Sequence, residues 1–582
     1  MADRYWVGGT AAWDTTSTAV WSATSGGASG ASVPTAADNV IFDSATVYTV
    51  TLTGALTCLS FTVSAGTVTF TSTGTLAVSG SFLIIPGTVW SATGLITFNS
   101  TTTGNTITTN SVSMAASIAL SGVGGAWGLG SAHTSTGNIT ILDGSFSTNN
   151  FSVTITSFIG NTVSTPRVVN LGSSTFTANG FLLNASITLD AGTSSIIFPN
   201  PNVNFSGGSK TFNNVSFTST AGVSRAISGS NTFNNLTFSS SAAVRETLVT
   251  FSGDTVVTGT LTLGTSANPA IRAVVRSSIP GTTRTFTVAS VAALSEVDFR
   301  DIAVSGASAP WSGTRLGDCG GNSGITFDAG VTKYWSLAAG GNWSATAWAL
   351  TSGGVPSAAN FPLPQDTVVI DDLGLILGAT ITINSSWQIG TLDASGRTLA
   401  ATLTFTGTAS LYGNFTLSTA VTPAGTGVFT VSGRGTQTIT PAGRTFTNPW
   451  TLQSANGVIA FAGAVTSTST ITMSQGTIRF LAGSTNTATT FAIAGGAATP
   501  VFLTSSTPGT QFTLSQATGT VSAVNTTISD SNATGGATWQ GLSANNAIDA
   551  GNNTGWVFDM PFGSIVFQQP VRLRSFTERG RD

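Results

Sequence analysis

The chain has 582 residues, a formal net charge of -3 and only 7% charged residues, which argues against nucleic acid or an anionic membrane surface as its partner. A chain this long exceeds what one ordinary globular core supports, so it has several domains or an elongated repetitive fold. Thr, Ser, Gly, Asn and Val take the place of charged residues, and this composition disfavours helix and favours strand.

An aromatic, glycine-rich opening stands at the start of the chain and returns in mid-chain. Its landmarks are Tyr5-Trp6, Trp13, Trp21, Ser25-Gly26-Gly27, Val33-Pro34 and Asp38 to Asp43, then Tyr334-Trp335, Trp343, Trp348, Ser352-Gly353-Gly354, Val355-Pro356 and Asp366 to Asp371. The first rung of a repetitive β-structure exposes apolar core and open strand edges, so the tryptophans predict a cap. The alternative is a surface on which indole rings stack against sugars.

Short alternating runs, such as Thr67-Val68-Thr69-Phe70-Thr71, follow each opening and predict half-buried strands. The run from Gly208 to Phe217 returns 21 residues later as the run from Gly229 to Phe238. A period near 20 residues favours one coil of a parallel β-solenoid, in which like residues stack. The repeat therefore places Phe212 under Phe233 and Phe217 under Phe238, with a ladder of Asn213 and Asn234.

A closing motif also occurs twice, since the segment from Asp318 to Asp328 aligns without a gap on the segment from Asp549 to Asp559. Asp is followed by Gly two positions on, Asn four on and Gly six on. This spacing predicts a turn that returns the chain under the last rung. The alternative is a calcium loop, for which each segment supplies few carboxylates, so we expect no metal and no cofactor.

Together these stretches predict an all-β chain of two tandem parallel β-solenoid modules, with Trp-rich opening caps and Gly/Asn closing caps. Residues 1–330 form the first module and residues 331–560 the second. Residues 561–582 form a basic tail with short apolar runs, and we expect it to be an assembly element that docks on another subunit or protein. The alternative for the tail is a solvated terminus.

Candidates for catalysis are few. His133 is the only histidine and has no nucleophile motif beside it. Two carboxylate pairs, Asp298 with Asp301 and Asp371 with Asp372, are candidates for glycan hydrolysis. Asp301 and Asp371 each have a counterpart in the other module, which favours a role in the frame. The counterparts are Asp530 and Asp43. The sequence therefore assigns no catalytic residue, leaves enzyme activity open and favours binding.

The N-terminal residues lack the basic and apolar regions of a secretory signal, and no 18-residue apolar stretch occurs. Cys58 and Cys319 stand far apart and neither belongs to a CxxC pair. We therefore expect synthesis in a reducing cytoplasm without a disulfide framework.

The opening and closing motifs carry a resemblance that extends to about Asp559. The opening Arg4-Tyr5-Trp6-Val7-Gly8-Gly9, with the Asp-x-Gly-x-Asn-x-Gly closure, resembles repeats of virion structural and tail-fibre-like proteins of tailed bacteriophages. The closure from Gly551 to Trp556 also resembles the ends of repeat units in large bacterial surface adhesins. The resemblance implies a β-solenoid used for display or attachment, assembled as a homotrimer, and it supplies no catalytic residue.

The missing signal and the start at the first module favour the phage interpretation. The leading hypothesis is therefore a non-catalytic virion appendage, a fibre, spike or surface-decorating protein, made in the host cytoplasm and carried on the virion. Its expected partners are further copies of itself, other virion proteins through residues 561–582, and host surface glycan, with no nucleic acid and no membrane insertion. The alternatives are a glycan-degrading tailspike and a bacterial surface adhesin.

Overall fold

The structure is a computed structural model, and it describes residues 2–160, 167–219, 224–239, 247–264 and 268–559. The predicted tail, residues 561–582, lies outside the described residues. The named elements in the described part are β-strands and two short 3₁₀ turns, Ala358–Asn360 and Ser543–Asn545. They form a parallel β-solenoid of many turns, as the composition and the repeat predict.

Alternation of apolar and hydroxyl residues determines which side of each strand is buried. In Val47–Leu52, the side chains of Tyr48, Val50 and Leu52 point into the core while Val47 and the two threonines face outward. The same alternation recurs on successive coils, so every coil adds apolar side chains to a continuous core. Outward threonines cover the surface that charged residues cover in other proteins.

Residues up to Asp318 build three long sheets around one core. Sheet 1 consists of Asp3–Trp6, Trp21–Ser22, Asn39–Phe42, Ser60–Val63, Phe82–Leu83, Asn105–Thr108, Ala126–Leu129, Ser145–Ser147, Arg167–Asn170 and Ile187–Asp190. Sheet 2 consists of Ala11–Trp13, Val47–Leu52, Thr67–Thr71, Val89–Trp90, Ser113–Met114, His133–Ser135, Val153–Thr154, Thr175–Thr177, Ser195–Phe198, Thr211–Phe217, Thr232–Phe238, Thr255–Thr262, Arg284–Val291 and Ile302–Ser305. Sheet 3 consists of Ala55–Cys58, Thr75–Val78, Ile96–Phe98, Ile118–Leu120, Asn138–Ile141, Ser157–Gly160, Gly180–Leu183, Val203–Gly207, Ser224–Ser228, Thr247–Phe251, Ala273–Ser277, Val297–Arg300 and Gly317–Asp318. A short pair, Leu294–Ser295 and Gly313–Thr314, lies beside them.

The coil changes its cross-section along the first half. Sheet 1 ends at Ile187–Asp190, and beyond it the strands of sheet 2 lengthen, as in Thr211–Phe217. The stacking predicted from the repeat is confirmed there. The rings of Phe212 and Phe233 lie 5.7 Å apart, and those of Phe217 and Phe238 lie 4.8 Å apart. Asn234 also donates to Asn213 at 3.2 Å, which confirms the amide ladder.

Residues from Thr332 onward build a second set of sheets. Sheet 4 consists of Thr332–Trp335, Trp348–Ala349, Thr367–Val369, Trp387–Ile389, Thr391–Asp393, Ala409–Leu411, Phe415–Thr416, Phe429–Val431, Thr436–Thr440, Trp450–Phe461, Thr470–Phe480, Thr490–Ile493, Val501–Ser505, Thr526–Ile528 and Ala547–Asp549. Sheet 5 consists of Gly340–Asn342, Thr380–Ile383, Ala401–Phe405 and Val421–Gly425. Sheet 6 consists of Thr445–Phe446, Thr466–Ser467, Thr485–Thr487, Phe512–Ser515 and Ser531–Thr534, and sheet 7 of Thr520–Ser522, Thr538–Gln540 and Trp556–Val557.

In the part of the chain that the structure describes, sheets 1 to 3 contain no strand beyond Asp318, and the strands of sheets 4 to 7 begin at Thr332. The buried apolar residues also separate into two clusters, although Ala270 belongs to the second one. We call the two parts the first and second halves. Their division at residues 330 and 331 into independent modules stays a prediction.

Both openings fold as caps. In each, an antiparallel strand covers the first parallel strand, with Trp6 opposite Trp21 in the first half and Trp335 opposite Trp348 in the second. All six opening tryptophans are buried. They are Trp6, Trp13, Trp21, Trp335, Trp343 and Trp348. The cap interpretation is therefore confirmed, and the sugar-stacking alternative is wrong because these indole faces are covered by the protein.

Candidate functional site

The histidine singled out in the sequence lies in the solenoid core. His133 is 1% exposed, and its ring nitrogens have no hydrogen-bond partner among the described residues. Burial lowers its pKa to about 4, because the charged imidazolium loses its hydration. The ring is therefore neutral near pH 7 and has no contact with solvent through which it would exchange protons with a substrate.

The carboxylates of Asp371 and Asp372 hold a loop. Asp371 accepts from the backbone N–H of Leu373 at 3.1 Å. Asp372 forms an ion pair with Arg397 at 3.1 Å and accepts from the backbone and hydroxyl of Thr398. These bonds, chiefly the one to the Thr398 hydroxyl, lower the pKa of Asp372. Both carboxylates are occupied by donors of the protein itself.

Asp298 and Asp301 belong to a buried cluster of charges. Arg272 pairs with Glu296 and, at 2.6 Å, with Asp298. Burial raises the pKa of Glu296 even though Arg272 and Arg315 stand beside it. Asp301 forms ion pairs with Arg300 and with Arg434, which comes from the second half. In a chain with so few charges, this concentration marks a structural junction.

The contacts around this cluster join the two halves along their length. Gln365 donates to the carbonyl of Leu316 at 3.0 Å, and Gln475 donates to the carbonyl of Pro280 at 3.0 Å. Arg434 reaches Asp301 between these two points. Going back along the first half, from Leu316 to Pro280, the contacting residues of the second half therefore lie progressively further along the chain. The second half therefore lies beside the end of the first and runs back along it.

A surface groove of about 340 Å³ lies on the second half. We call it the Phe502 groove. It is lined by Ser454, Asn456, Gly457, Val458, Gln475, Gly476, Thr477, Ala498, Thr499, Pro500 and Phe502. The groove forms where strand pairing is interrupted between Gln453 and Val458, a bulge in which Asn456 has a φ of 63°. Gly476 is required beside it, since a Cβ there would lie 1.9 Å from the carbonyl oxygen of Ser454.

The walls of the Phe502 groove combine one aromatic ring with uncharged polar groups. Phe502 is 42% exposed and stands in register with Thr477 and Thr527 of the adjacent coils. The side chains of Asn456, Thr477 and Thr499 make no hydrogen bond with other described residues, so their donors and acceptors are available to a ligand. Among the described residues, none that lines the groove is charged. Such a surface suits a neutral, hydroxyl-rich ligand.

A second groove of about 340 Å³ lies on sheet 1. Unlike the polar side chains of the Phe502 groove, its asparagines already form hydrogen bonds with other parts of the protein. Asn105 donates to the carbonyl of Thr102 at 2.7 Å, and Asn149 donates to that of Leu129 at 3.0 Å. Asn170 accepts from the N–H of Gly172 at 2.9 Å. The Phe502 groove is therefore the stronger candidate for a binding surface of these two grooves.

Sequence reasoning missed the Phe502 groove, although one signal was present. In Val501–Ser505 the alternation buries Val501 and Leu503 and turns Phe502 outward, where threonine is usual in this chain. An aromatic residue out of phase with the buried pattern is therefore a cue for a binding surface.

Neither protein-family models, nor curated proteins, nor solved structures give a match to this chain. The described residues include no helix with the length and apolar character needed to cross a membrane. They also include no group of three or more His, Cys, Asp or Glu side chains placed to hold a metal ion.

Proposed function

We propose that this chain is a structural appendage protein of a bacteriophage virion, a fibre, spike or surface-decorating component, that attaches to a host surface by binding neutral glycan. The β-solenoid fold is compatible with tailspike, fibre and adhesin proteins, and the opening and closing motifs resemble virion repeats. The supporting observation in this chain is the Phe502 groove, which places an exposed ring beside free amide and hydroxyl groups on a rigid scaffold.

Stacking of a sugar ring on Phe502 would provide the apolar contact, since the C–H face of a pyranose packs against an aromatic face. Asn456, Thr477 and Thr499 would hydrogen-bond the hydroxyl groups around it. The three polar groups come from separate coils or loops, so the groove would recognise the arrangement of hydroxyls along more than one sugar. Attachment would rely on several copies of such a weak site in one assembly.

The test is calorimetric titration of purified full-length protein with defined neutral capsule and lipopolysaccharide oligosaccharides. We expect Phe502→Ala to weaken binding by about tenfold or more, which corresponds to about 1.4 kcal/mol. The matched control is Phe151→Ala, because Phe151 is 38% exposed and lies outside the groove. Equal binding by both variants, or no binding by the wild type, would reject the glycan proposal.

Two further measurements separate the alternatives. Release of shorter oligosaccharides during incubation would identify a glycan-degrading tailspike. Mass spectrometry of purified particles tests the virion assignment, and detection of the chain only on a bacterial envelope would identify an adhesin instead.

A further inference from the structure

The sequence contains two Asn-Gly pairs, Asn179-Gly180 and Asn456-Gly457. An asparagine followed by glycine is prone to lose its side-chain amide without any enzyme, because the backbone nitrogen of the glycine can attack the amide carbon. Glycine permits this attack best, since it has no Cβ to hinder the approach or to restrict the backbone. The surrounding fold therefore decides which of the two pairs reacts.

The second pair lies in the bulge of the Phe502 groove. Asn456 is exposed, and its side chain makes no hydrogen bond with other described residues. Pairing with the strand of the next coil is interrupted between Gln453 and Val458, so neither Asn456 nor Gly457 has a register partner in that strand. The attack requires rotation of the Asn456 backbone, and at an interrupted ladder this rotation breaks few hydrogen bonds.

The first pair is held in the ladder of sheet 3. The N–H of Asn179 donates to the carbonyl of Thr156 at 2.8 Å. Gly180 is buried and begins the strand Gly180–Leu183, where it stands in register with Ser157. Its nitrogen can reach the Asn179 side chain only when the end of this strand opens. The free energy of that opening adds to the barrier of the reaction.

We propose that Asn456 is a spontaneous deamidation site whose modification switches off the Phe502 groove. The backbone nitrogen of Gly457 forms a bond to Cγ of Asn456, its proton passes through water to the departing nitrogen, and ammonia leaves a cyclic imide. One water molecule then adds to either carbonyl of the imide and opens it. The product is aspartate or isoaspartate, and its acidic proton goes to the ammonia. Water is the only co-reactant.

The products change the groove in two ways. A carboxylate replaces an amide at Asn456, so the groove loses a donor for the ring and bridging oxygens of a glycan. Isoaspartate also inserts the side-chain methylene into the main chain before Gly457. The bulge is then displaced at a point where Gly476 already lies close to the carbonyl of Ser454. Weaker binding is the consequence that rests on the proposed function, whereas the modification itself does not depend on it.

The test is incubation of purified full-length protein in mildly alkaline buffer, followed by peptide mass spectrometry. We expect Asn456 to lose its amide at least about tenfold faster than Asn179 in the folded protein. The matched control is the same incubation in urea, where the two pairs should react at similar rates because the ladder of sheet 3 is gone. An intact Asn456, or equal rates in the folded protein, would overturn the proposal.

Calorimetric titration of fresh and aged samples with neutral oligosaccharide tests the consequence separately. Aged wild-type protein should bind at least about tenfold more weakly than fresh protein. Aged Asn456→Gln should bind as its own fresh sample does, because the longer side chain forms the imide far less readily. Deamidation of Asn456 in a protein that never binds glycan would support the modification site and reject the glycan proposal alone. Deamidated protein that binds like fresh protein would overturn the switch.

Discussion

The two openings share one geometry although their spacers differ. The rings of Trp6 and Trp21 lie 5.2 Å apart at 82°, and those of Trp335 and Trp348 lie 5.1 Å apart at 89°. Each cap is also fastened by one aspartate. Asp38 accepts from the N–H of Ala2, and Asp366 accepts from that of Val331.

The two closing loops correspond bond for bond. Asn322 donates to Asp318 at 2.7 Å and accepts from the N–H of Ile302 at 3.0 Å. Asn553 donates to Asp549 at 2.6 Å and accepts from the N–H of Ser531 at 2.9 Å. The ends are thus preserved while coil shape, loop chemistry and surface grooves differ. We infer that capping imposes strict geometry and that the coils between the caps tolerate change, because each coil contacts only its neighbours.

Removing one indole from each opening tests whether the caps act separately. Trp21→Ala and Trp348→Ala should each cost about 3 to 5 kcal/mol, the usual penalty for deleting a buried large aromatic side chain. Hydrogen exchange measured by mass spectrometry should show faster exchange in the first half for Trp21→Ala and in the second half for Trp348→Ala. Faster exchange of both halves in either variant would show that the caps stabilise one cooperative unit.

Lowering the pH should reduce the stability of the first half more than that of the second, because only the first half contains a histidine. The pKa of His133 is lowered from 6.5 to about 4 in the folded protein, so the unfolded chain binds the proton more readily. The contribution of His133 to the free energy of unfolding is therefore at its maximum above pH 6.5. It falls by about 3 kcal/mol as the pH decreases to 4.

The measurement is urea denaturation between pH 7 and pH 4, followed through hydrogen exchange of each half. His133→Leu should remove most of the pH dependence of the first half, since leucine is neutral throughout. If the stability of the first half of the wild type does not change over this pH range, the assignment of His133 as buried and neutral is contradicted.

The closing loops allow a matched pair of substitutions. Asn322→Ala and Asn553→Ala each remove an amide that joins the closing aspartate to the preceding coil, through the carbonyl of Phe299 or of Ile528 at 2.8 Å. Each should cost about 0.5 to 1.5 kcal/mol, the usual net contribution of a hydrogen bond, because the groups that the amides join are partly buried or exposed. If the two loops are equivalent, the two variants should lose similar amounts of unfolding free energy, measured by urea denaturation. A larger loss from Asn322→Ala would show that contact between the halves, such as the hydrogen bond from the N–H of Asp318 to Gln365, strengthens the first loop. A larger loss from Asn553→Ala would contradict the equivalence of the two loops.

The sequence predicted the features that depend on local pattern. Alternation predicted the strands, the repeat predicted the stacking of Phe212 on Phe233, and the duplicated tryptophans predicted the caps. It did not predict the ion pair of Asp301 with Arg434, because that pair depends on how the two halves lie side by side. Nor did it predict the Phe502 groove, which depends on a bulge whose position follows from the register of neighbouring coils. Periodicity specifies what repeats, whereas these features arise where the repeat is interrupted.

Chelation is expected to have the smallest effect and distinguishes a turn from a calcium loop. The Oδ1 atom of Asp318 accepts from the N–H of Gly320 at 2.8 Å and from Asn322, and Asp549 is held in the same way by Gly551. A carboxylate oxygen with two protein donors already has its preferred partners, and calcium needs six to eight oxygens. EDTA should therefore leave the Tm of both halves unchanged. A decrease of several degrees that added calcium reverses would contradict the turn assignment, because an ion that binds only the folded state stabilises it against unfolding.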